Sequence, residues 1–96
     1  MRIRKQALGN RNICGERVEE RRKALGLRQR DLLMRLQVEG VDLNASGLSK
    51  LEGQLRSVND YELLALSKVL DISVNWLLGI DEAYYETKKE ELAEAK

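Results

Sequence analysis

The stretch "DLNASGLSKLEGQL", residues 42–55, decides how this chain is read. Asn44 suits a helix N-cap, because its side-chain oxygen can accept from the free amides of a first turn. Leu48 and Leu51 stand three apart and share one face of a helix over residues 45–52. Gly53-Gln54 then breaks it. The other face is almost bare, with Ala45, Ser46, Gly47 and Ser49 beside one long polar side chain, Lys50. In a chain that is 34% charged, so small an outer surface suggests a rod that must come close to something.

Working outward, apolar periodicity and stop signals predict four more helices. Before the rod, residues 13–25 carry a stripe of Ile13, Cys14, Val18 and Leu25 and stop at Gly26. Residues 28–36, "RQRDLLMRL", have an inner face of Leu32, Leu33 and Leu36. The link "QVEGVDL" is broken by Gly40, with Val38, Val41 and Leu43 expected to be partly buried. After the rod, Asn59 or Asp60 caps a helix through Leu70, whose stripe is Leu63, Leu66 (or Leu64), Val69 and Leu70. Ser73 caps a last turn, "VNWLLG", that Gly79 closes. There is no Pro, and Leu, Arg, Glu, Lys and Ala abound, so the expected class is all-α. The chain divides into a basic, flexible arm at 1–12, a helical domain at 13–80 and an acidic tail at 81–96. The tail reads equally as a surface helix, a partner-contacting helix or a frayed end.

Composition narrows the function. With 96 residues the chain is one domain. It holds no His and one Cys, so the commonest general base and metal ligand are missing and no intrachain disulfide can form. We expect no enzyme, no catalytic residue, no metal, no cofactor and no small-molecule substrate. No apolar run approaches the ~18 residues of a membrane span. A lone cysteine suits a reducing compartment, so the expected location is cytoplasmic. Net charge is only +1, but it is unevenly placed: residues 1–30 carry ten Lys/Arg against three Glu, and residues 80–96 three against six acids. A basic front points to a polyanionic partner.

Two helices joined through a Gly-containing break, each apolar on one side, have the plan of a helix-turn-helix. A slim helix of this kind fits a major groove ~12 Å wide, where Ser and Lys can bond bases or phosphates and Ala can touch a thymine methyl. "GERVEERRKALGLRQRDLL", then "LSKLEGQLRSV", then "LLALSKVLDISVNWLLG" resemble, in that order, the Cro/repressor-type (XRE-type) helix-turn-helix family. The likeness spans residues 15–79, and its most specific part is the spacing of Arg22, Gly26, Leu27 and Gln29. It implies a five-helix, lambda-repressor-like DNA-binding domain. By the resemblance, Gln29 touches the DNA backbone and braces the recognition helix, with Arg28 a phosphate contact beside it. Ala45, Ser46, Gly47, Ser49 and Lys50 match base-reading positions, and Leu48 and Leu51 match buried anchors. Arg22 and Glu52 match a pair bridging the first helix to the end of the third. Arg56 falls where a basic loop meets the backbone, and Trp76 reads as a core plug.

Three features depart from the family pattern: the turn before the third helix is longer, Leu33 replaces a small Ala, and Gly53-Gln54 replaces Asn-Gly. The function implied is a sequence-specific regulator, most simply a repressor. It would bind double-stranded DNA as a homodimer and occlude an operator, with the arm giving electrostatic help. An alternative is a protein-interaction module on the same fold, an antitoxin-like partner or an inhibitor, suggested by the acidic tail with Tyr84 and Tyr85 and by the nearly featureless recognition helix.

Overall fold

The computed structural model describes residues 7–80. Every regular element among them is helical: α1 (Gly15–Ala24), α2 (Gln29–Val38), α3 (Ala45–Glu52), α4 (Asp60–Val69) and α5 (Val74–Leu78). The first six residues and the tail from 81 lie outside the described residues, as do the readings made of them. No described helix is long and apolar enough to cross a membrane.

The core is aliphatic. Val18 of α1, Leu32 and Leu36 of α2, Leu48 and Leu51 of α3, Leu66 and Leu70 around α4, and Leu77 of α5 are fully buried. Leu33, Leu63, Val69 and Trp76 pack on its margin. Three expected core positions face water instead. Ile13 is 69% exposed because α1 starts two residues after it, and Leu25 is 40% exposed because the chain turns at Gly26. The inward seat four residues after Val18 belongs to Arg22. Val38 is 87% exposed: two residues past Leu36, it projects from the opposite side of α2.

The described helices end alike. A residue in left-handed conformation follows each one, and the next amide reaches back across the last turn: Leu27 to Arg22, Val41 to Leu36, Leu55 to Lys50, Ile72 to Ser67 and Ile80 to Asn75. This is the Schellman arrangement, which an apolar residue after the turn usually accompanies. Gly26, Gly40 and Gly79 fill three of the left-handed positions, but Gln54 and Asp71 fill two, at about 1 kcal/mol each. The link before α3 follows this geometry. Gly40 turns the chain, Val41 is buried, and half-buried Leu43 packs against the core.

The segment Gly9–Asn12, expected as part of a free arm, is strapped across the C-terminal end of α3. Gly9 N–H donates to the Gly53 carbonyl and Arg11 N–H to that of Gln54, both at 2.9 Å. Asn12 Nδ2 donates to Leu51 O (3.1 Å) and Arg56 O (2.8 Å), while its Oδ1 accepts from the Gly15 amide (2.8 Å) and so caps α1. Gln54 completes the strap: Nε2 donates to Gly9 O, and Oε1 accepts from the Glu16 amide. A Cβ at Gly15 would run into the backbone carbonyl of Leu51. We therefore expect Gly15→Ala to cost about 1–3 kcal/mol, the range for forcing atoms into a packed contact. Urea unfolding followed by circular dichroism would measure it, and an unchanged midpoint would show that α1 and α3 can separate freely.

Candidate nucleic-acid interface

α3 begins and ends where residues 42–55 suggested. Asn44 Oδ1 accepts from the Gly47 amide at 2.6 Å, closing the first turn. Leu48 and Leu51 are fully buried, and Ala45, Ser46, Ser49 and Lys50 are exposed on the other side. Gly47 is half-buried, its amide held by the cap, so it leaves room at the helix tip and offers no side chain.

The far end of the rod is clamped. Glu52, the last residue of α3, is 1% exposed. Its carboxylate accepts from Arg22 Nε (2.7 Å), Arg22 Nη2 (3.0 Å) and Gln29 Nε2 (3.0 Å), and Arg22 Nη1 donates to Leu27 O (2.9 Å). Two parallel bonds from one guanidinium fix orientation as well as distance. Gln29 also accepts a bond from the Ser49 hydroxyl at 3.3 Å. One carboxylate thus joins α1 and the first residue of α2 to the end of α3, and Gln29 extends the brace to Ser49 one turn earlier. Ser49, matched above to base reading, faces outward but ties its hydroxyl to this brace.

The remaining candidates separate into exposed and engaged cations. Arg28 is largely exposed; its amide donates to Asp31 Oδ2 at 2.8 Å and its Nε approaches the same oxygen at 3.3 Å. Arg30 and Lys50 are exposed. Arg56 is not a free loop cation, since Nη2 pairs with the buried Glu62 carboxylate at 3.1 Å. Glu62 also accepts from the Asn59 amide at 2.8 Å, so the pair locks the α3–α4 loop to the start of α4. Much of the basic front is structural. Arg21 donates to the carbonyls of Leu70 and Asp71, and Arg17 lies over the Trp76 ring at 5.3 Å. Trp76 is half-buried against the core, as a plug would be. Residue reasoning missed Asn12, Gln54 and Glu62. Only Glu62 left a sequence signal, the Asn59–Glu62 spacing of a helix-capping pair.

Two expectations follow. Removing one partner of the buried pair, as in Glu52→Ala, leaves the Arg22 charge unmatched and should cost about 3–5 kcal/mol. The double variant Arg22→Met/Glu52→Leu should lose less than the sum of Arg22→Met alone and Glu52→Leu alone, which chemical denaturation of these three proteins and the unsubstituted chain would test. Asp31 is held below the usual carboxylate range, first by the Arg28 amide, then by the Arg28 side chain and the nearby charges of Arg28 and Arg30. A lowered folded-state value contributes stability present above the ordinary carboxylate pKa and lost as pH falls through the folded one. Acidification should therefore fray the first turn of α2 early. In amide-exchange measurements, Arg28 should lose protection before Leu36 does, and Asp31→Asn should remove that pH dependence. No family model, curated protein or solved structure matches this chain.

Proposed function

We propose that this chain is a sequence-specific DNA-binding regulator of the Cro/repressor-type helix-turn-helix kind. In this reading α2 and α3 form the helix-turn-helix, with a lengthened turn, inside a lambda-repressor-like domain. The observation that carries it is the division of α3: two leucines wholly inside, and Ala45, Ser46, Ser49 and Lys50 exposed on a rod capped at one end and clamped at the other, where the Ser49 hydroxyl is tied. A helix so presented can enter a major groove without a bulky side chain in the way. Arg28 and Arg30, beside the α2 start that braces it, supply charge for phosphates, which position the protein while base edges specify the site.

Action is most simply repression: a homodimer sets two copies of α3 ~34 Å apart on an inverted repeat and blocks the polymerase. We propose no enzymatic activity. Burial pushes the Cys14 thiol up, the reverse of what makes a cysteine a nucleophile. The reading places the protein in the cytoplasm, with its DNA.

A second reading, a protein-interaction module on the same scaffold, is favoured by Met34 and Val38. They lie one turn apart on α2 and are 65% and 87% exposed.

Selection of bound duplexes from a random pool tests the first reading and measures half-site spacing together. Finding no sequence held tighter than random DNA at moderate salt would remove it. On a selected site, Lys50→Ala should weaken binding in one of two ways. A base contact gives a loss of about 1–3 kcal/mol confined to one position. A phosphate contact gives a uniform loss and a salt slope lower by about one.

A further inference from the structure

We infer that Ser49 is a specificity-determining residue that meets DNA as a hydrogen-bond acceptor only, and so selects the exocyclic amino group of adenine or cytosine. The inference rests on the DNA-binding reading and deepens it.

Hydrogen-bond polarity is set from the buried end of α3. Glu52 is 1% exposed, and its carboxylate accepts from Arg22 Nε at 2.7 Å and Arg22 Nη2 at 3.0 Å. A carboxylate paired with a guanidinium in this way is an acceptor only. The Gln29 amide lies 3.0 Å from Glu52 Oε1 and turns its nitrogen toward it. The flipped amide would set two oxygens, both without hydrogens, against each other.

With Nε2 held by Glu52, Gln29 Oε1 faces Ser49 Oγ at 3.3 Å. That amide oxygen can only accept, so the contact is favourable when the Ser49 hydroxyl donates into it. A serine hydroxyl has one hydrogen and two lone pairs. Its hydrogen is therefore turned toward α2, and the lone pairs are what it has left to offer.

Ser49 is exposed, on the side of α3 that carries Ala45, Ser46 and Lys50. Ala45 stands one turn earlier on the same edge, with a side chain too short to cover it. In the major groove guanine presents N7 and O6, and thymine presents O4 and a methyl group. Only adenine N6 and cytosine N4 present hydrogens there. A serine free to rotate bonds to either kind of edge and discriminates little. The brace removes that choice. Against guanine or thymine, two acceptors would be desolvated face to face, which costs more than a bond merely absent. Each base pair has one amino group at this groove, on one strand or the other. The reading therefore shows as A or C against G or T at one strand position. The carboxylate that fixes the direction of α3 thus also fixes the polarity of a side chain on its surface.

The test is selection of bound duplexes from a random pool by the unsubstituted chain and by Ser49→Ala, followed by affinity measurements at each position. The unsubstituted chain should prefer A or C over G or T by about tenfold at one position of the half-site. Ser49→Ala should lose that preference and keep the others. Gln29→Leu frees the hydroxyl hydrogen and should admit G and T at that position. A second measurement leaves α2 intact and decides alone if Gln29→Leu does not fold. An analogue of the selected base with hydrogen in place of the amino group should weaken the unsubstituted chain about tenfold more than it weakens Ser49→Ala. Finding no selected sequence at all would remove the DNA-binding reading and this one with it. The acceptor assignment alone is overturned by a profile that Ser49→Ala leaves unchanged, by a G or T preference at the position it flattens, by an A or C preference that survives Gln29→Leu, or by an analogue that weakens both proteins equally.

Discussion

The interaction on which the rest depends is the buried contact of Arg22 with Glu52. Burying two charges costs several kcal/mol per ion, so the pair is weak grounds for a stability argument. Its effect is on geometry. The Glu52 carboxylate receives three donors from two other helices, and the forked guanidinium admits one orientation. α1, the start of α2 and the end of α3 therefore meet at a single setting. The small outward residues lie toward the other end of α3, so this clamp fixes where they point.

A rod of eight residues does not hold itself in place, because isolated helices shorter than about 12–15 residues are marginal in water. α3 is determined from outside at every quarter. Asn44 satisfies its first turn, Leu48 and Leu51 anchor its flank, Glu52 clamps its end, and the strap from Gly9 to Asn12 takes carbonyls that follow. The link before it works within the same scheme. Val41 is buried and Leu43 packs against the core, so these two residues hold the link onto it.

Much of this was legible in the sequence, and the reason is local chemistry. The bounds of α3 and α5 could be read because Asn44, Ser73 and Gly79 encode their own caps within three or four residues. The inner faces of α2 and α3 could be read because leucines repeat at helical spacing. Periodicity failed at Ile13 and Leu25, where the apolar stripe runs past the ends of α1. At Gln54 and Asp71 the left-handed turn itself was hidden, although the helix ends were not, because a non-glycine residue takes it there. The strap was hidden because its partners lie about forty residues apart, as Asn12 to Leu51 and Arg56 does. The brace of Arg22, Gln29 and Glu52 came from the family resemblance. Spacing alone does not disclose a pair 30 positions apart.

Charge is where fold and proposed function are hardest to separate in a sequence. Residues 1–30 look like one basic block, yet Arg21 closes the end of α4, Arg22 is buried and Arg17 stacks on Trp76. What remains exposed along the start of α2 and on α3 is Arg28, Arg30 and Lys50. Each neutralised phosphate contributes about 0.9 to the dependence of log affinity on log salt. On the proposed reading, three such contacts give one copy a slope of roughly 3, small for a protein that must hold one site among many. Doubling the contacts by pairing two copies on an inverted repeat raises the slope and the affinity together. On the proposed reading, that doubling is what a homodimer would add to the cations exposed along α2 and α3.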